Sequence, residues 1–380
     1  MQSRAPLLVV FLHGFMQDGR TWDVVRAQLV ALQSDSASNL KNTMPLFATY
    51  APSLFIEGEA TLGEPGGSGN STISNTPADS SVFTDPSALL SSVMSITPDG
   101  LACERGEFQG GRHLPAEEKL QEEQRLSAEK GSQDGQCLTA KEELQEKQHL
   151  LVEEKLQERW SLSALADTAH QLVEREREKL TELFSTKPRL LLVGYSLGGR
   201  VALEYVRRHE NDVDALVLES AGIGPVDAAE CARLAARNES WARRFQEATS
   251  MADAVAWWES LPIFASQAAL PQKSRQMQHL MRMESDSHIL AALCRAAGAH
   301  TMPLAAETSS MLNSLSVPVH YVYGTKDSKY ARVAAGLVSH ASSVQLVPVE
   351  AGHNVHLEAP EEFARGIAAI VEGILTRGTP

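Results

Sequence analysis

A serine lies between glycines directly after an apolar run, in the stretch LVGYSLGGR at residues 192–200. Gly194, Ser196 and Gly198 fit the pattern G-x-S-x-G, in which a tight turn between a strand and a helix exposes the serine hydroxyl. The residues before this turn favour a buried strand, and those from Arg200 onward have helical periodicity. The stretch therefore predicts a nucleophile elbow with Ser196 as the nucleophile.

A serine nucleophile needs a base to take its proton, and the base needs an acid that holds it in the correct tautomer. In this type of sheet the acid and then the base follow the serine, each after the carboxyl end of a strand. Asp327 in GTKDSKY and His353 in AGHNVHLEAP meet this condition, and we predict them as acid and base. Asp214 is the competing acid, although it precedes its strand, and His356 is the competing base.

An oxyanion hole should lie beside the serine. The amide of Leu197, directly after the nucleophile, is its predicted first donor, and the amide of Phe15, after the first apolar run, is the second. We expect His13 to brace this first loop, with contact to the substrate as the alternative.

Strand and helix patterns alternate along the elements that must position these residues. The predicted strands span residues 7–12, 46–50, 189–193, 215–219, 317–323 and 344–349. Two predicted helices span residues 22–32 and 331–340. Three more are predicted by their starts, one at residue 161 or 163, one at 200 and one at 360. This alternation predicts an α/β fold with a mostly parallel, doubly wound sheet. The largely helical residues 225–315 interrupt it, and we expect them to cover the sheet as a lid.

The composition changes at residues 57–159, which we interpret as a long insertion with a low-complexity part and a helical part. Its first part is rich in Gly, Ser, Thr and Pro, as in a flexible linker. Its second part repeats EEKLQE and favours a solvated helix pair, a short coiled coil or disorder. A surface insertion without chemistry is the favoured interpretation, because long looped-out insertions cost little free energy. Recruitment of protein partners is the alternative.

The prediction divides the chain into consecutive segments. These are core residues 1–56, the insertion 57–159, core residues 160–224 with the elbow, the lid 225–315, and core residues 316–380 with the acid and the base.

Composition also limits the partners. The net charge of −14 argues against nucleic acid or an anionic membrane. Four cysteines without metal-ligand spacing predict a cytoplasmic setting and no metal, and no organic cofactor is indicated. The apolar run at residues 7–12 is too short to span a bilayer, so we expect no membrane anchor. The oligomeric state stays open.

The set LHGF, GYSLGG, GTKDSKY and AGHNVHLEAP resembles the α/β-hydrolase superfamily everywhere outside the insertion. Within it, GYSLGGRVAL, GTKDSKY, AGHNVH and the lid stretches WARRF and AWWESLPIFAS resemble the 2-succinyl-6-hydroxy-2,4-cyclohexadiene-1-carboxylate synthases of menaquinone biosynthesis. The resemblance implies the α/β-hydrolase fold and a carbon–oxygen lyase. In such an enzyme the triad removes a proton from 2-succinyl-5-enolpyruvyl-6-hydroxy-3-cyclohexene-1-carboxylate, and pyruvate leaves. A serine esterase, thioesterase or C–C bond hydrolase is the alternative.

A small-molecule substrate with several carboxylates implies a cationic pocket in this acidic chain. Arg200, one helical turn after the serine, is the first candidate. The other candidates for substrate contact are Tyr195, Arg233, Arg237, Arg282, and Trp257 or Trp258. Which lid arginines bind substrate stays open. A solvated surface charge is the alternative for each lid arginine, and core packing is the alternative for either tryptophan.

Two features depart from the family's pattern. The segment that usually reads APDLPGHG keeps only Ala51-Pro52 here, and the insertion begins just after it, at the border of the site. The chain also starts almost at its first core strand. We therefore expect either that preceding edge strands are absent or that the true start lies upstream.

Overall fold

The computed structural model describes residues 6–39, 47–54, 155 and 157–376. In this part of the chain six parallel strands form one sheet with the order β2-β1-β3-β4-β5-β6. The strands are β1 (Leu7–Leu12), β2 (Phe47–Tyr50), β3 (Arg189–Tyr195), β4 (Ala215–Glu219), β5 (Val319–Gly324) and β6 (Val344–Val349). The predicted doubly wound sheet is confirmed.

Helices cover both faces of this sheet. In the core they are α1 (Asp23–Asn39), α2 (Leu162–Phe184), α3 (Leu197–Arg208), α9 (Ser328–His340), the short α10 (Val355–Glu358) and α11 (Pro360–Thr376). Helix α1 packs against α11, and α2 packs against α3. Because both faces are covered, every residue of β1 is buried, as expected for a central strand of a parallel sheet. Helix α2 begins at the first of its two predicted starts, where the Ser161 hydroxyl accepts a hydrogen bond from the Ala164 amide.

Residues 225–315, which we call the lid, are mostly helical. They form α4 (Ala228–Gln246), α5 (Met251–Glu259), the 3-10 helix Pro262–Ala269, α6 (Gln272–Met283), α7 (Ser287–Ala296) and α8 (Ala305–Ser314). The lid contacts the loop after β1, where Gln17 Nε2 donates to Gln278 Oε1 at 2.9 Å. An apolar cluster at the same place joins Phe15 and Met16 to Phe245 and Trp258 of the lid.

Strand β3 is longer than its apolar pattern predicts. It continues through Gly194 and Tyr195, because Gly194 pairs with β1 at Leu12 and Tyr195 pairs with β4 at Glu219. Helix α3 accordingly begins at Leu197, directly after the serine, and three residues earlier than its periodicity predicts. The turn between strand and helix is therefore as short as an elbow requires.

The predicted insertion at residues 57–159 lies outside the described residues except for positions 155 and 157–159. Its interpretation stays a prediction. Among the described residues, no single helix has the length and apolar composition needed to cross a membrane; only the bent pair Ser287–Thr301 and Ala305–Ser314 meets both criteria together.

Candidate active site

Ser196 occupies the turn between β3 and α3 in a strained backbone conformation, with φ 51° and ψ −105°. The turn is possible because its neighbours are glycines: a Cβ at Gly194 would lie 2.5 Å from the carbonyl oxygen of Gly198, and one at Gly198 would lie 2.2 Å from that of Leu12. The Ser196 amide donates to the carbonyl oxygen of Glu219 at 2.9 Å. The elbow is thus held by the sheet on both sides.

The three predicted triad residues meet at the carboxyl edge of the sheet. His353 Nε2 lies 3.2 Å from Ser196 Oγ, and His353 Nδ1 lies 2.9 Å from Asp327 Oδ2. Asp327 caps α9, and its Oδ1 accepts hydrogen bonds from the amides of Lys329 and Tyr330. These contacts hold the carboxylate so that Nδ1 carries the proton and Nε2 faces the serine.

Burial of this triad sets the pKa values of its members. His353 is 3% exposed, and this burial lowers its pKa below the usual 6.5, although the hydrogen bond and charge of Asp327 oppose the shift. Burial alone would raise the pKa of Asp327, but its hydrogen bonds from His353 and from the two amides of α9 outweigh that effect and lower it. At neutral pH the pair is therefore an uncharged imidazole beside a carboxylate, which suits a general base.

The two competing residues lie elsewhere. Asp214 lies at the amino ends of the strands, away from Ser196. Its carboxylate accepts hydrogen bonds from Arg189 Nε and from the Leu190 amide, each at 2.8 Å. His356 is fully buried, and its Nδ1 lies 2.8 Å from Glu219 Oε2, while its ring stacks on Trp22 at a centroid distance of 3.8 Å. The pair of Glu219 and His356 was not anticipated, although an acid at the end of a predicted buried strand was the signal for it.

The Glu219–His356 pair should contribute strongly to stability, because both side chains are 0% exposed. We expect His356→Leu to lower the free energy of unfolding by about 3–5 kcal/mol, since it leaves a buried carboxylate without its partner. Urea denaturation measures this, with the exposed His288→Leu as control. The double variant Glu219→Gln/His356→Leu should recover part of the loss. If the double variant instead loses as much stability as Glu219→Gln and His356→Leu lose together when measured singly, the contact between the two side chains does not explain the destabilisation.

The loop after β1 provides one wall of the site. His13 is 0% exposed; its Nδ1 donates to the Gly14 carbonyl, and its Nε2 accepts from the Leu54 amide at 2.9 Å. Burial lowers the pKa of His13 to about 4, so the ring is neutral. These contacts are those of a bracing residue, and His13 is not among the residues that line the cavity over the triad. Phe15 does line that cavity, and its oxyanion role, like that of Leu197, stays a prediction.

A cavity of about 850 Å³ lies over Ser196 and His353, between the core and the lid. Its aromatic walls are Phe15, Tyr195, Trp241, Trp258, Phe264 and Tyr330. Its cationic side chains are Arg200, Arg233, Arg237, Arg282, Lys329 and Arg332. Of the two predicted tryptophans, Trp258 lines the cavity. Trp257 does not, because it packs against Phe245 and carries the guanidinium of Arg244 on its ring.

Of the four arginines predicted from the sequence, Arg200 and Arg237 form no ion pair among the described residues. Arg200 is half-buried, and its Nε is enclosed without a hydrogen-bond partner in that part of the chain. Arg237 stacks on Trp241 at 4.5 Å and donates to the Asn238 side chain. Burial lowers the pKa of both guanidinium groups; repulsion by Arg237 adds to this effect at Arg200, and repulsion by Arg233 adds to it at Arg237, where Glu230 opposes it. The cavity therefore holds two guanidinium groups that form no ion pair within the described part of the chain, although the carboxylates of Asp227 and Glu230 also line it.

The other two predicted arginines are already neutralised. Arg282 is 4% exposed, and its Nη1 donates to Glu259 at 2.9 Å. The Arg233 side chain is 72% exposed and lies 3.5 Å from Glu230. Their charges are thus less available to an anionic ligand than those of Arg200 and Arg237.

Among the described residues, His170, His209 and Asp212 bring possible metal ligands within 4.8 Å of one another. The two imidazole rings stack with an interplanar angle of 3° and centroids 3.8 Å apart. Nitrogen lone pairs in parallel planes do not converge on one tetrahedral centre. We therefore derive no metal chemistry from this cluster.

Comparison with known proteins identifies the family and the fold. Residues 151–366 match the model of the Alpha/beta hydrolase family. The chain is 31% identical over 180 residues to a 2-succinyl-6-hydroxy-2,4-cyclohexadiene-1-carboxylate synthase of Enterobacter sp. (strain 638), a match that covers 47% of this chain and 66% of the relative. A synthase with the same name from Klebsiella pneumoniae (strain 342) is 28% identical over 180 residues, covering 47% of this chain and 67% of the relative.

Solved structures show the same fold at low sequence identity. MenH from S. aureus aligns with a TM-score of 0.57 and 17% identity, covering 98% of this chain and 96% of that one. A thermophilic esterase from Thermogutta terrifontis aligns with a TM-score of 0.52 and 14% identity, covering 98% and 92%. MenH and an esterase thus share this architecture, and a shared fold does not by itself determine the reaction.

Proposed function

The chain belongs to the alpha/beta hydrolase family, and from that premise we propose that it is a carbon–oxygen lyase of menaquinone biosynthesis. Its substrate would be 2-succinyl-5-enolpyruvyl-6-hydroxy-3-cyclohexene-1-carboxylate, and its products pyruvate and 2-succinyl-6-hydroxy-2,4-cyclohexadiene-1-carboxylate. The names of the relatives from Enterobacter and Klebsiella support this proposal.

The single observation that carries the proposal is that Arg200 and Arg237 line the cavity over Ser196 without an ion pair among the described residues. A neutral ester supplies no anion, and a buried guanidinium without an anion is costly. A ligand with several carboxylates supplies the missing anions, and guanidinium groups bind carboxylates through two parallel hydrogen bonds. The aromatic walls then enclose the ring of the substrate.

The proposed reaction is an elimination that the Ser196–His353 pair begins as a base. The pair removes a proton from ring carbon 2, the electron pair left there forms a double bond to carbon 3, and the existing double bond shifts from carbons 3 and 4 to carbons 4 and 5. The bond between ring carbon 5 and the enolpyruvyl oxygen breaks, and the leaving enolate takes up a proton on its methylene carbon to become pyruvate. The amides of Phe15 and Leu197 would stabilise negative charge on the carbonyl next to the deprotonated carbon.

The test follows pyruvate release from this substrate, made in situ by the upstream enzyme and compared with the spontaneous rate. Wild type, Ser196→Ala and Arg200→Ala run in parallel, with Arg233→Ala as a matched control and an aryl ester as a second substrate. Fast release that collapses in the first two variants, with negligible ester cleavage, is the expected result. Release at the background rate, with brisk ester cleavage that depends on Ser196, would exclude the lyase.

A hydrolase is the second candidate, and the assembled triad favours it. Ser196 Oγ is already within hydrogen-bond distance of His353 Nε2, which is the arrangement that activates serine for attack on an acyl carbon. A burst of product during the first turnover of an activated ester would reveal such an acyl-enzyme.

A further inference from the structure

One carboxylate at the edge of the site is not used by the proposed reaction. Glu358 is the last residue of α10; its Oε2 accepts from the Gly352 amide at 2.7 Å, and its Oε1 accepts from Ser266 Oγ at 3.0 Å. Gly352 directly precedes His353, and Ser266 belongs to the 3-10 helix of the lid. A single side chain therefore connects the lid to the backbone that carries the base. We call Ser266, Glu358 and Gly352 the latch.

Packing around the latch leaves the histidine loop little room. A Cβ at Gly352 would lie 1.9 Å from Ser266 Oγ, so only glycine allows the lid to approach so closely. On the other side, a Cβ at Gly324 would lie 1.9 Å from the Gly352 carbonyl oxygen. The loop is thus enclosed between the end of β5 and the lid. Removal of the lid would free one side of it.

We propose that Glu358 is a positioning residue that couples the seating of the lid to the placement of His353 against Ser196. With the lid seated, both carboxylate oxygens have protein donors, and the Gly352 amide is held. When the lid lifts, Ser266 leaves and water replaces it, so the carboxylate holds Gly352 less firmly. Within the proposed function, a substrate that closes the lid also aligns the base; the coupling itself holds for any reaction through Ser196 and His353.

The test compares Ser266→Ala, Glu358→Gln and the double variant. The glutamine keeps the size of the side chain, but its amide nitrogen cannot accept a hydrogen bond, so one of the two donors loses its partner. Ser260→Ala and Glu361→Gln are matched controls: Ser260 is a lid serine whose hydroxyl donates to the Trp257 carbonyl within its own turn, and Glu361 is exposed at the start of α11.

The first measurement is the rate at which phenylmethanesulfonyl fluoride labels Ser196. This small reagent has no carboxylate, and its rate reports the activation of the serine by His353. We expect each single variant to slow labelling by about 2- to 10-fold, the range for one lost hydrogen bond. Because Ser266 acts through Glu358, the double variant should label no more slowly than Glu358→Gln, and both controls should label at the wild-type rate.

The second measurement is kcat and KM for pyruvate release in the same proteins. We expect Ser266→Ala to raise KM more than it lowers kcat, because it weakens lid seating. Two results would overturn the coupling. One is labelling of Glu358→Gln at the wild-type rate. The other is an equal effect of Ser266→Ala on the labelling rate in the wild type and in Glu358→Gln. If Glu358→Gln does not fold, Ser266→Ala still tests the link between lid and base. Slower labelling than in Ser260→Ala supports the coupling, and equal labelling overturns it. Slow labelling in a protein without pyruvate release would refute the proposed lyase and leave the coupling intact.

Discussion

His353→Ala is expected to lower kcat for pyruvate release by about 10²- to 10⁴-fold, the contribution of a positioned general base. The reason is geometric, because His353 Nε2 is the nitrogen that faces Ser196 Oγ, while Nδ1 is committed to Asp327. Steady-state kinetics with saturating substrate measures the loss. His288→Ala, which removes an exposed histidine of the lid, is the control and should keep the wild-type rate. A loss below 10-fold would show that another group is the base.

The same base should produce a characteristic pH profile. The imidazole acts only when neutral, and its folded-state pKa lies below 6.5 because the ring is buried. We therefore expect kcat/KM to rise with pH through a pKa below 6.5 and then to stay level through neutral pH. Asp327 opposes the shift, so Asp327→Asn should move the rise to still lower pH while it reduces the plateau. A kcat/KM that falls between pH 6 and 7 would contradict this assignment.

Arg200→Ala is expected to lower kcat/KM by about 10- to 150-fold, which corresponds to the ~1.5–3 kcal/mol of a hydrogen bond to a charged group. Arg200 is half-buried beside the nucleophile, and no described residue neutralises it. A substrate carboxylate would therefore be its main partner. Initial rates over a range of substrate concentrations measure the change, most of which should appear in KM.

Two further variants separate charge from geometry at this position. Arg200→Lys keeps the charge but loses the paired hydrogen bonds, so it should recover only part of the activity. Arg233→Ala removes an exposed arginine that already pairs with Glu230, and its effect should stay within about 3-fold. If Arg200→Ala and Arg233→Ala behave alike, the binding of carboxylates by Arg200 is refuted.

The sequence by itself determined the sheet and the order of the candidate triad. Apolar runs separated by helical periods predict parallel strands, and local spacing of glycines predicts the elbow at Ser196. Asp327 and His353 follow because active-site loops lie at the carboxyl ends of such strands. All three signals are local, since each depends on a few neighbouring residues in the chain. That is why they could be recognised before the fold was known.

Only the tertiary structure decided which side chains face the cavity and what neutralises them. Arg200 and Arg237 form no ion pair among the described residues, whereas Arg282 pairs with Glu259, 23 positions away. Likewise, Trp258 faces the cavity while its neighbour Trp257 packs within the lid. These outcomes depend on how helices of the lid pack on one another, which no local pattern encodes.

The same reason explains the contacts that were not foreseen. His356 follows His353 by three positions, yet it is bound to Glu219 at the end of β4, 137 positions earlier in the chain. Glu358 reaches a lid serine 92 positions away. A motif can show that a carboxylate or an imidazole is available, but its partner depends on which distant segments the sheet and lid bring together. In this protein, local sequence predicted the elbow that carries Ser196, and long-range packing decided which side chains surround it.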